Sequence, residues 1–514
     1  MNLTTTLTKT LIAGCVALCL PACFAANDES ADGGFGGVGG AGVAQGGAQD
    51  FGQFRQILDD GELPHPSTLD DVGFFNEHKV EFPTPDCGDD VCLHGQLGVM
   101  GNMITGSNCT LMLLGMNTSI DPNTFERPPL NMAIAVDTSG SMAGDSIYHL
   151  REGLFRMLDD LRPEDRVTLV AFDAQARTLV ESVEGSDPTL AEAIGTLQAD
   201  GSTNIYDGLR TAYRAVEAHA ADGVQNRVIL LSDGATTAGI TDDARITQMS
   251  RQYNELGFGL TTIGVGDSFD ADLMRELSET GAGAFYFLED SAAVQEVFEE
   301  EVKAFLVPLA TDLRIDIEVS EGYDLRAVYG TKNAEVVGNE AAIDIATVQL
   351  AGRTSVDDDA GGRRGGGGAI IAEVIPVDDS VGAGEVGSLV MTYTVPDSGD
   401  TVVQEVPITS ALAPDETPEK GAFDGESVEK AFVMLNIYAG FDMASARASY
   451  GDLGGALGVL EPLRNSVESW LDENDDADIE DDLIYINRFI ENLRRAGAES
   501  PPPERRPPEI WPLD

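Results

Sequence analysis

The sequence predicts an α/β fold: a doubly wound, mostly parallel sheet, inserted in or flanked by a β-sandwich and followed by an α-helical segment. Three observations predict it. Apolar strand patterns alternate with helical patterns between residues 128 and 309, and such alternation requires a parallel sheet with helices on both faces. The apolar period then changes to about two over residues 311–409, as in antiparallel strands. Helical spacing returns after residue 427.

Short apolar runs predict the strands of the parallel sheet. They lie at residues 131–137, 166–172, 227–232, 259–266 and 284–288. A strand buried on both faces has a near-continuous apolar run, as residues 132–136 do. A helix is predicted over residues 146–161. Its buried face is expected to carry Leu150, Leu154, Phe155 and Leu158.

Oxygen-bearing side chains follow these strands. Asp137 ends the first strand, and Ser139 and Ser141 follow at alternate positions. Asp233 ends a second buried strand pattern, and Thr203 lies on a tight loop before a helical pattern. Open α/β sheets bind ligands at the carboxyl ends of their strands, and such hard oxygen atoms suit Mg²⁺ better than zinc or copper. A side-chain-capped turn would explain Asp137 to Ser141 alone, but the two further loops favour a metal site.

These three loops resemble the metal-ion-dependent adhesion site of von Willebrand factor A domains, which combines Asp-x-Ser-x-Ser with a threonine and an aspartate from two further loops. The resemblance implies a Rossmann-like domain at residues 128–309. It implies Ser139, Ser141 and Thr203 as hydroxyl ligands, with Asp137 and Asp233 bound directly or through water. It also implies Mg²⁺ (or Mn²⁺ or Ca²⁺) as cofactor and a protein partner that offers an Asp or Glu carboxylate.

The charge of the chain argues against a nucleic-acid partner, and its motifs argue against an enzyme. The chain has 88 Asp and Glu against 31 Lys and Arg, a formal net charge of -57. Such a field repels nucleic acid and anionic lipid, so no nucleic-acid partner is expected. The five histidines show no His-Glu-x-x-His spacing, and no Gly-x-Ser-x-Gly surrounds either serine of the motif. We therefore expect a binding or adhesion module and no enzyme; the alternatives are a metal-dependent hydrolase and a chelatase-like partner of an ATPase.

Residues 1–26 have the pattern of an export signal, with Lys9, an apolar stretch over residues 11–20 and a small-residue exit. The stretch is too short to span a membrane. Residues 20–23, Leu-Pro-Ala-Cys, resemble a bacterial lipobox with Cys23 as the acylated residue; ordinary signal cleavage near Ala25 is the alternative. We expect an exported protein at the bacterial cell envelope, in the periplasm or at the cell surface, held to the membrane only by a lipid anchor.

Residues 51–81 are similar to a segment that precedes the A domain in a family of bacterial von Willebrand factor A lipoproteins. That segment has an Arg-x-x-Leu-x-x-Gly-x-Leu-Pro run. The matching residues are Arg55, Leu58, Gly61, Leu63 and Pro64. A looser match follows at residues 74–76.

The remaining patterns set the boundaries. The chain divides into a signal at 1–26, a glycine-rich linker at 27–50, an N-terminal segment at 51–127, the A domain at 128–309, a β-sandwich at 310–412, a linker at 413–426, a helical region at 427–498 and a proline-rich tail at 499–514. Strand-like segments at 91–103 and 110–120 are expected to join the later sandwich, because an isolated strand pair is marginal in water. Helices are predicted at 427–438, 444–471 and 479–495. Cys87, Cys92 and Cys109 are expected to give one disulfide and one thiol.

Overall fold

The structure is a computed structural model that describes most of the chain. The described residues are 41–45, 47–48, 51–120, 128–159, 161–221, 223–233, 236–265, 270–281, 283–288, 308–331, 333–350, 369–377, 382–396, 398–414 and 416–501. The predicted export signal, with Cys23, lies outside these residues, as does the proline-rich tail beyond residue 501.

A mixed sheet forms the centre of the predicted A domain. Within the described residues its strand order is β2 (Gly47–Ala48), β10 (Ala284–Leu288), β9 (Gly259–Val265), β8 (Gln225–Ser232), β5 (Leu130–Asp137), β6 (Arg166–Phe172) and β7 (Ala176–Glu184). Neighbouring strands are parallel except β6 and β7, which form an antiparallel pair. The mostly parallel α/β fold is therefore confirmed.

Helices cover both faces of this sheet. They are α3 (Asp145–Asp159), α4 (Pro188–Gly195), α5 (Ile205–Ala218), α6 (Asp243–Asn254) and α7 (Ala271–Thr280). Alternate residues of β5 supply the two cores: Met132 and Ile134 pack with α3 and α4, whereas Ala133 and Ala135 pack with α5, α6 and α7. Burial on both faces is what the unbroken apolar run of this strand requires.

Two details of the domain differ from the prediction. Phe155 was predicted on the buried face of α3 but is 39% exposed. The inward positions belong to Leu150, Gly153, Leu154 and Met157, so the buried stripe is rotated toward the glycine. Strand β7 was not predicted, because it is a largely exposed edge strand and lacks an apolar run.

The second large sheet of the described residues forms an antiparallel β-sandwich of two layers. One layer comprises β3 (Cys92–Gly101), β4 (Asn108–Thr118), β12 (Tyr323–Tyr329), β15 (Ala369–Pro376) and β18 (Ala422–Phe423). The other comprises β11 (Pro308–Val319), β13 (Ala334–Val337), β14 (Glu340–Leu350), β16 (Gly384–Thr394) and β17 (Thr401–Ser410). Because β4 precedes the A domain and pairs with β15, which follows it, the A domain is an insertion in the sandwich.

The predicted glycine-rich linker at 27–50 is wrong in its last part. Strand β1 (Ala41–Gln45) pairs with β4 and β14, and β2 pairs with β10. Backbone pairing does not depend on side-chain type. Glycine and alanine therefore gave no alternating pattern from which these strands could be predicted.

A helical layer covers the outer face of the first β-layer. It contains α1 (Gly52–Asp59), α2 (Asp71–Asn76), α8 (Glu426–Ser449), α9 (Leu453–Leu471) and α10 (Ala477–Arg495). Alternate residues of β4 again serve two cores, since Leu111 and Leu113 pack with the helices while Met112 and Leu114 face the second β-layer. The described helices include none that is long and apolar enough to cross a membrane.

The predicted helix break between residues 438 and 444 is wrong, because α8 continues through Gly440 to Ser449. A Cβ at Gly440 would lie 2.4 Å from Cδ2 of Leu463, so this glycine permits close packing against α9 and does not end the helix. The chain turns instead at Gly451, whose φ of +80° favours glycine.

Buried polar contacts join the N-terminal segment to the C-terminal helices. His78 Nε2 lies 2.8 Å from Asp482 Oδ2, and the Lys79 backbone N–H donates to Asp478 Oδ2 at 3.0 Å. Lys430 Nζ lies 2.7 Å from the same Asp478 oxygen. Among the described residues, Cys87 and Cys92 form a disulfide, and Cys109 is a buried thiol. Desolvation raises the pKa of the Cys109 thiol well above its ordinary value.

Candidate functional site

The candidate site lies at the carboxyl ends of two adjacent strands. Asp137 is the last residue of β5, and Asp233 directly follows β8, which pairs with β5 in parallel. Parallel neighbours end at the same edge of a sheet, so the two carboxylates emerge together, as the sequence predicted. Asp137 is fully buried and Asp233 is nearly so.

The two serines connect these carboxylates. The Ser139 backbone N–H donates to Asp137 Oδ1 at 2.8 Å. Ser139 Oγ lies 3.0 Å from Ser141 Oγ, which donates to Asp233 Oδ1 at 2.9 Å. Because the Ser141 proton is used toward Asp233, Ser139 is the donor between the two hydroxyls. Four of the five predicted residues therefore form one hydrogen-bonded cluster.

The local backbone explains how two nearby serines can serve one site. Ser139 is extended, with φ -67° and ψ 168°, and a 3-10 turn at Gly140–Met142 follows it. The alternate spacing of these residues would suit a fully extended loop, but the loop turns after Ser139. The turn brings Ser141 back toward Ser139.

Thr203 lies on a loop that is hydrogen-bonded to the loop carrying Asp137, Ser139 and Ser141. Backbone hydrogen bonds of 2.8 Å and 3.0 Å join Asp200 N–H to the Thr138 carbonyl and Gly140 N–H to the Gly201 carbonyl. Thr203 itself is buried and precedes Asn204, whose side chain caps α5. The structure thus places Thr203 on the loop beside the Asp137 loop and before α5.

Burial determines the protonation of the cluster. Desolvation raises the pKa of Asp137 to about 6, although hydrogen bonds from Ser232 and Ser139 oppose the shift; the charge of Asp233 adds to it. Desolvation also raises the pKa of Asp233. Ionising both groups in this partly dry site is costly unless a positive charge compensates.

The donor atoms fit a hard divalent cation. Two carboxylates and the hydroxyls of Ser139, Ser141 and Thr203 are oxygen donors of the kind that Mg²⁺ prefers. Both oxygens of Asp137 already accept hydrogen bonds, from Ser139 N–H and from Ser232 Oγ at 2.6 Å, which suits contact with a cation through water. No group of three or more His, Cys, Asp or Glu side chains in the described part of the chain is placed to hold a metal.

Two contributing residues were missed by sequence reasoning. Ser232 donates to Asp137, and Thr237 accepts a hydrogen bond from the Thr203 backbone at 2.9 Å. A polar residue closing the apolar run of β8 was a usable signal for Ser232. Nothing in the local sequence indicates the contact of Thr237, because it joins loops 34 residues apart.

A family model for the von Willebrand factor type A domain matches residues 131–300, which contain all five candidate residues. Residues 131–300 form a von Willebrand factor type A domain. Domains of this type commonly mediate protein–protein interaction. The fold predicted from the motif and its alternating strands and helices is thereby confirmed.

Two bacterial relatives are similar beyond the motif. The chain is 31% identical over 206 residues to the uncharacterized protein YfbK of Escherichia coli, a match that covers 40% of this chain and 36% of YfbK. It is 24% identical over 341 residues to the uncharacterized protein sll0103 of Synechocystis, covering 65% of this chain and 78% of that protein. The chain thus matches about a third of the length of YfbK and most of sll0103.

A solved structure resembles a larger share of the chain. The von Willebrand factor type A protein from Catenulispora acidiphila aligns with 78% of this chain and 96% of its own, with 17% identity and a TM-score of 0.49.

Proposed function

We propose that this chain is a metal-dependent protein-binding module of the bacterial cell envelope, in which Mg²⁺ at the A domain coordinates an acidic residue of a partner protein. The cluster of Asp137, Ser139, Ser141 and Asp233 carries the proposal, with Thr203 on the neighbouring loop. Its buried carboxylates are costly without a cation, and its oxygen donors are those that Mg²⁺, Mn²⁺ or Ca²⁺ accept.

The oxygen donors of the site also support an acidic residue of the partner as the ligand of the cation. Two carboxylates balance the formal charge of a divalent cation, and the three hydroxyls add no negative charge. The cation can therefore still attract the carboxylate of an Asp or Glu of the partner. The residues of this chain hold and orient the cation and perform no covalent step. We therefore propose binding and not catalysis, in line with the interaction role common to this domain type.

The charge of the chain opposes the approach of such a partner. A carboxylate meets long-range repulsion from a formal charge of -57, which salt screens over ~10 Å at 0.1 M. Direct coordination acts at short range and is little screened. Association should therefore become faster as the ionic strength rises, yet require the metal at every ionic strength.

Capture of the partner tests the proposal. Immobilised protein is incubated with envelope extract in millimolar Mg²⁺ or in chelator, and the bound proteins are quantified by mass spectrometry. Thr203→Ala removes the proposed ligand hydroxyl and keeps the backbone bonds of this residue. Thr189→Ala is the matched control, because Thr189 follows β7 near the opposite edge of the sheet.

A partner that is retained by the parent protein and by Thr189→Ala in Mg²⁺, and is lost in chelator and with Thr203→Ala, is the expected result. Replacing its acidic residues one at a time by alanine should then identify the coordinating carboxylate. Equal capture with and without chelator would contradict a metal-dependent interaction.

We also propose that the protein is located at the cell envelope. The disulfide between Cys87 and Cys92 supports an oxidising compartment, where such bonds form and persist. We expect diacylglycerol on Cys23 to hold the chain at the envelope. Mass spectrometry of the mature N-terminus tests this: a lipid-modified Cys23 is expected, and a free terminus at Ala25 or Ala26 would mean simple secretion.

A further inference from the structure

The segment that follows Asp233 is fastened to the loop that carries Thr203. Thr203 N–H donates to Thr237 Oγ1 at 2.9 Å. In the reverse direction, the N–H groups of Thr237 and Ala238 both donate to the Thr203 carbonyl at 2.9 Å. The backbone N–H and C=O of Thr203 are thus both bonded to this one segment.

The contact between the two segments continues one residue further along each of them. Gly239 has a φ of +72°, and a Cβ at this position would lie 2.4 Å from Oδ1 of Asn204. Asn204 is itself held, since its N–H donates to the Asp173 carbonyl at 2.9 Å and its side chain caps α5. The segment from Thr237 to Gly239 therefore lies directly along Thr203 and Asn204.

From these contacts we propose that Thr237 is a positioning residue that couples two loops of the metal site. Its hydroxyl fixes the backbone of Thr203, and Asp233 lies four residues before it on the same segment. The bond between Thr203 N–H and the Thr237 hydroxyl therefore holds Thr203 in its place beside the cluster of Asp137, Ser139, Ser141 and Asp233. The inference rests on the proposed metal site but assigns to Thr237 no contact with the cation.

The side chain of Thr237 is exposed, so its replacement disturbs no core. Thr237→Val keeps the shape of the side chain and removes the acceptor, leaving the Thr203 N–H without it. Thr237→Ser restores the hydroxyl. Thr189→Val is the matched control, because Thr189 is also exposed and its hydroxyl donates to Asp187 at 2.7 Å, near the opposite edge of the sheet.

The test is calorimetric titration of the full chain with Mg²⁺ alone, for the parent and the three variants. The affinity of Thr237→Val should fall about two- to tenfold, the range that one hydrogen bond is worth. Thr237→Ser and Thr189→Val should stay near the parent value. Equal affinities of Thr237→Val and the parent would overturn the inference, and so would failure of Thr237→Ser to recover.

Hydrogen exchange of the parent protein gives a second measurement that needs no variant. Mass spectrometry of a peptide spanning residues 201–205 should show slowed exchange when Mg²⁺ is added, because closing the metal site tightens the bond from Thr203 N–H to Thr237. Exchange unchanged by bound Mg²⁺ would overturn the coupling while leaving the metal site intact. A parent protein that binds no Mg²⁺ would instead refute the proposed function, and this inference with it.

Discussion

Replacing Asp137 by asparagine should stabilise the metal-free protein and abolish its response to Mg²⁺. Asp137 is fully buried, and burial raises the pKa of its carboxyl from 3.8 to about 6. At 1.36 kcal/mol per pKa unit, ionising this group at pH 7 costs the metal-free fold about 3 kcal/mol. Asparagine has nearly the same shape and carries no charge, so Asp137→Asn avoids most of that cost.

The dependence on pH gives the sign of the effect. Below pH 3.8 the carboxyl of Asp137 is protonated in the folded and unfolded states, and the cost is absent. The cost grows between pH 3.8 and about 6, where only the unfolded state is ionised, and is complete above that range, where both states are ionised. The free energies of unfolding of the parent and of Asp137→Asn should therefore converge near pH 4 and differ most at pH 7.

Mg²⁺ should remove most of the difference in stability between the parent and Asp137→Asn. A ligand at one hundred times its Kd stabilises the folded state by about 2.7 kcal/mol, which for a domain of this size corresponds to a rise in Tm of roughly 5–10 °C. The parent should show this rise and Asp137→Asn should not. Asp187→Asn is the control, because Asp187 caps α4 near the opposite edge and asparagine caps helices equally well.

Scanning calorimetry in chelator and in Mg²⁺ is the appropriate assay, since Trp470 and Trp511 both lie outside the A domain. An Asp137→Asn variant that is less stable than the parent in chelator at pH 7 would refute the electrostatic argument. A variant that keeps the Mg²⁺-dependent rise in Tm would refute the assignment of Asp137 to the metal site.

Three further predictions concern the sandwich and the helices. Lys430→Met removes an ammonium that bridges two buried carboxylates, so the free energy of unfolding measured in urea should fall by about 3–5 kcal/mol; a loss below 1 kcal/mol would contradict the burial. Gly115→Ala should lower it by about 1–3 kcal/mol, since a Cβ would lie 1.7 Å from Cζ of Phe82; unchanged stability would show that the ring moves freely. Cys109 should react with iodoacetamide only after denaturation, because it is buried and burial raises the pKa of its thiol; labelling of the folded chain would place it at the surface.

Much of the fold could be predicted because its patterns are local. The apolar runs that end at Asp137 and before Asp233 predicted two parallel strands that end at the same edge of the sheet, and the strand bounds differ from the prediction by two residues or fewer. Strands β1 and β2 could not be predicted, since glycine and alanine in residues 41–48 carry no periodic signal. Phe155 was placed inward because a helical period alone cannot decide between two adjacent stripes when a glycine occupies one of them.

The residues of the candidate site also divide into those that the local sequence predicted and those that it could not. Asp137, Ser139 and Ser141 alone would also fit a side-chain-capped turn, but Thr203 and Asp233 on two further loops made a cluster the better prediction. Thr237 could not be found, since its role depends on a loop contact across 34 residues. Such contacts follow from the folded arrangement of the loops and not from any local sequence pattern.

The central claim is that a divalent cation binds between Asp137 and Asp233, and anomalous scattering from crystals grown in Mn²⁺ tests it most directly. The account predicts one strong peak at this sheet edge, at metal–oxygen distances of roughly 2.0–2.4 Å from the hydroxyls of Ser139 and Ser141. The peak should be absent from crystals of Asp137→Asn. No peak at this edge in the parent, or a peak that persists in the variant, would contradict the account.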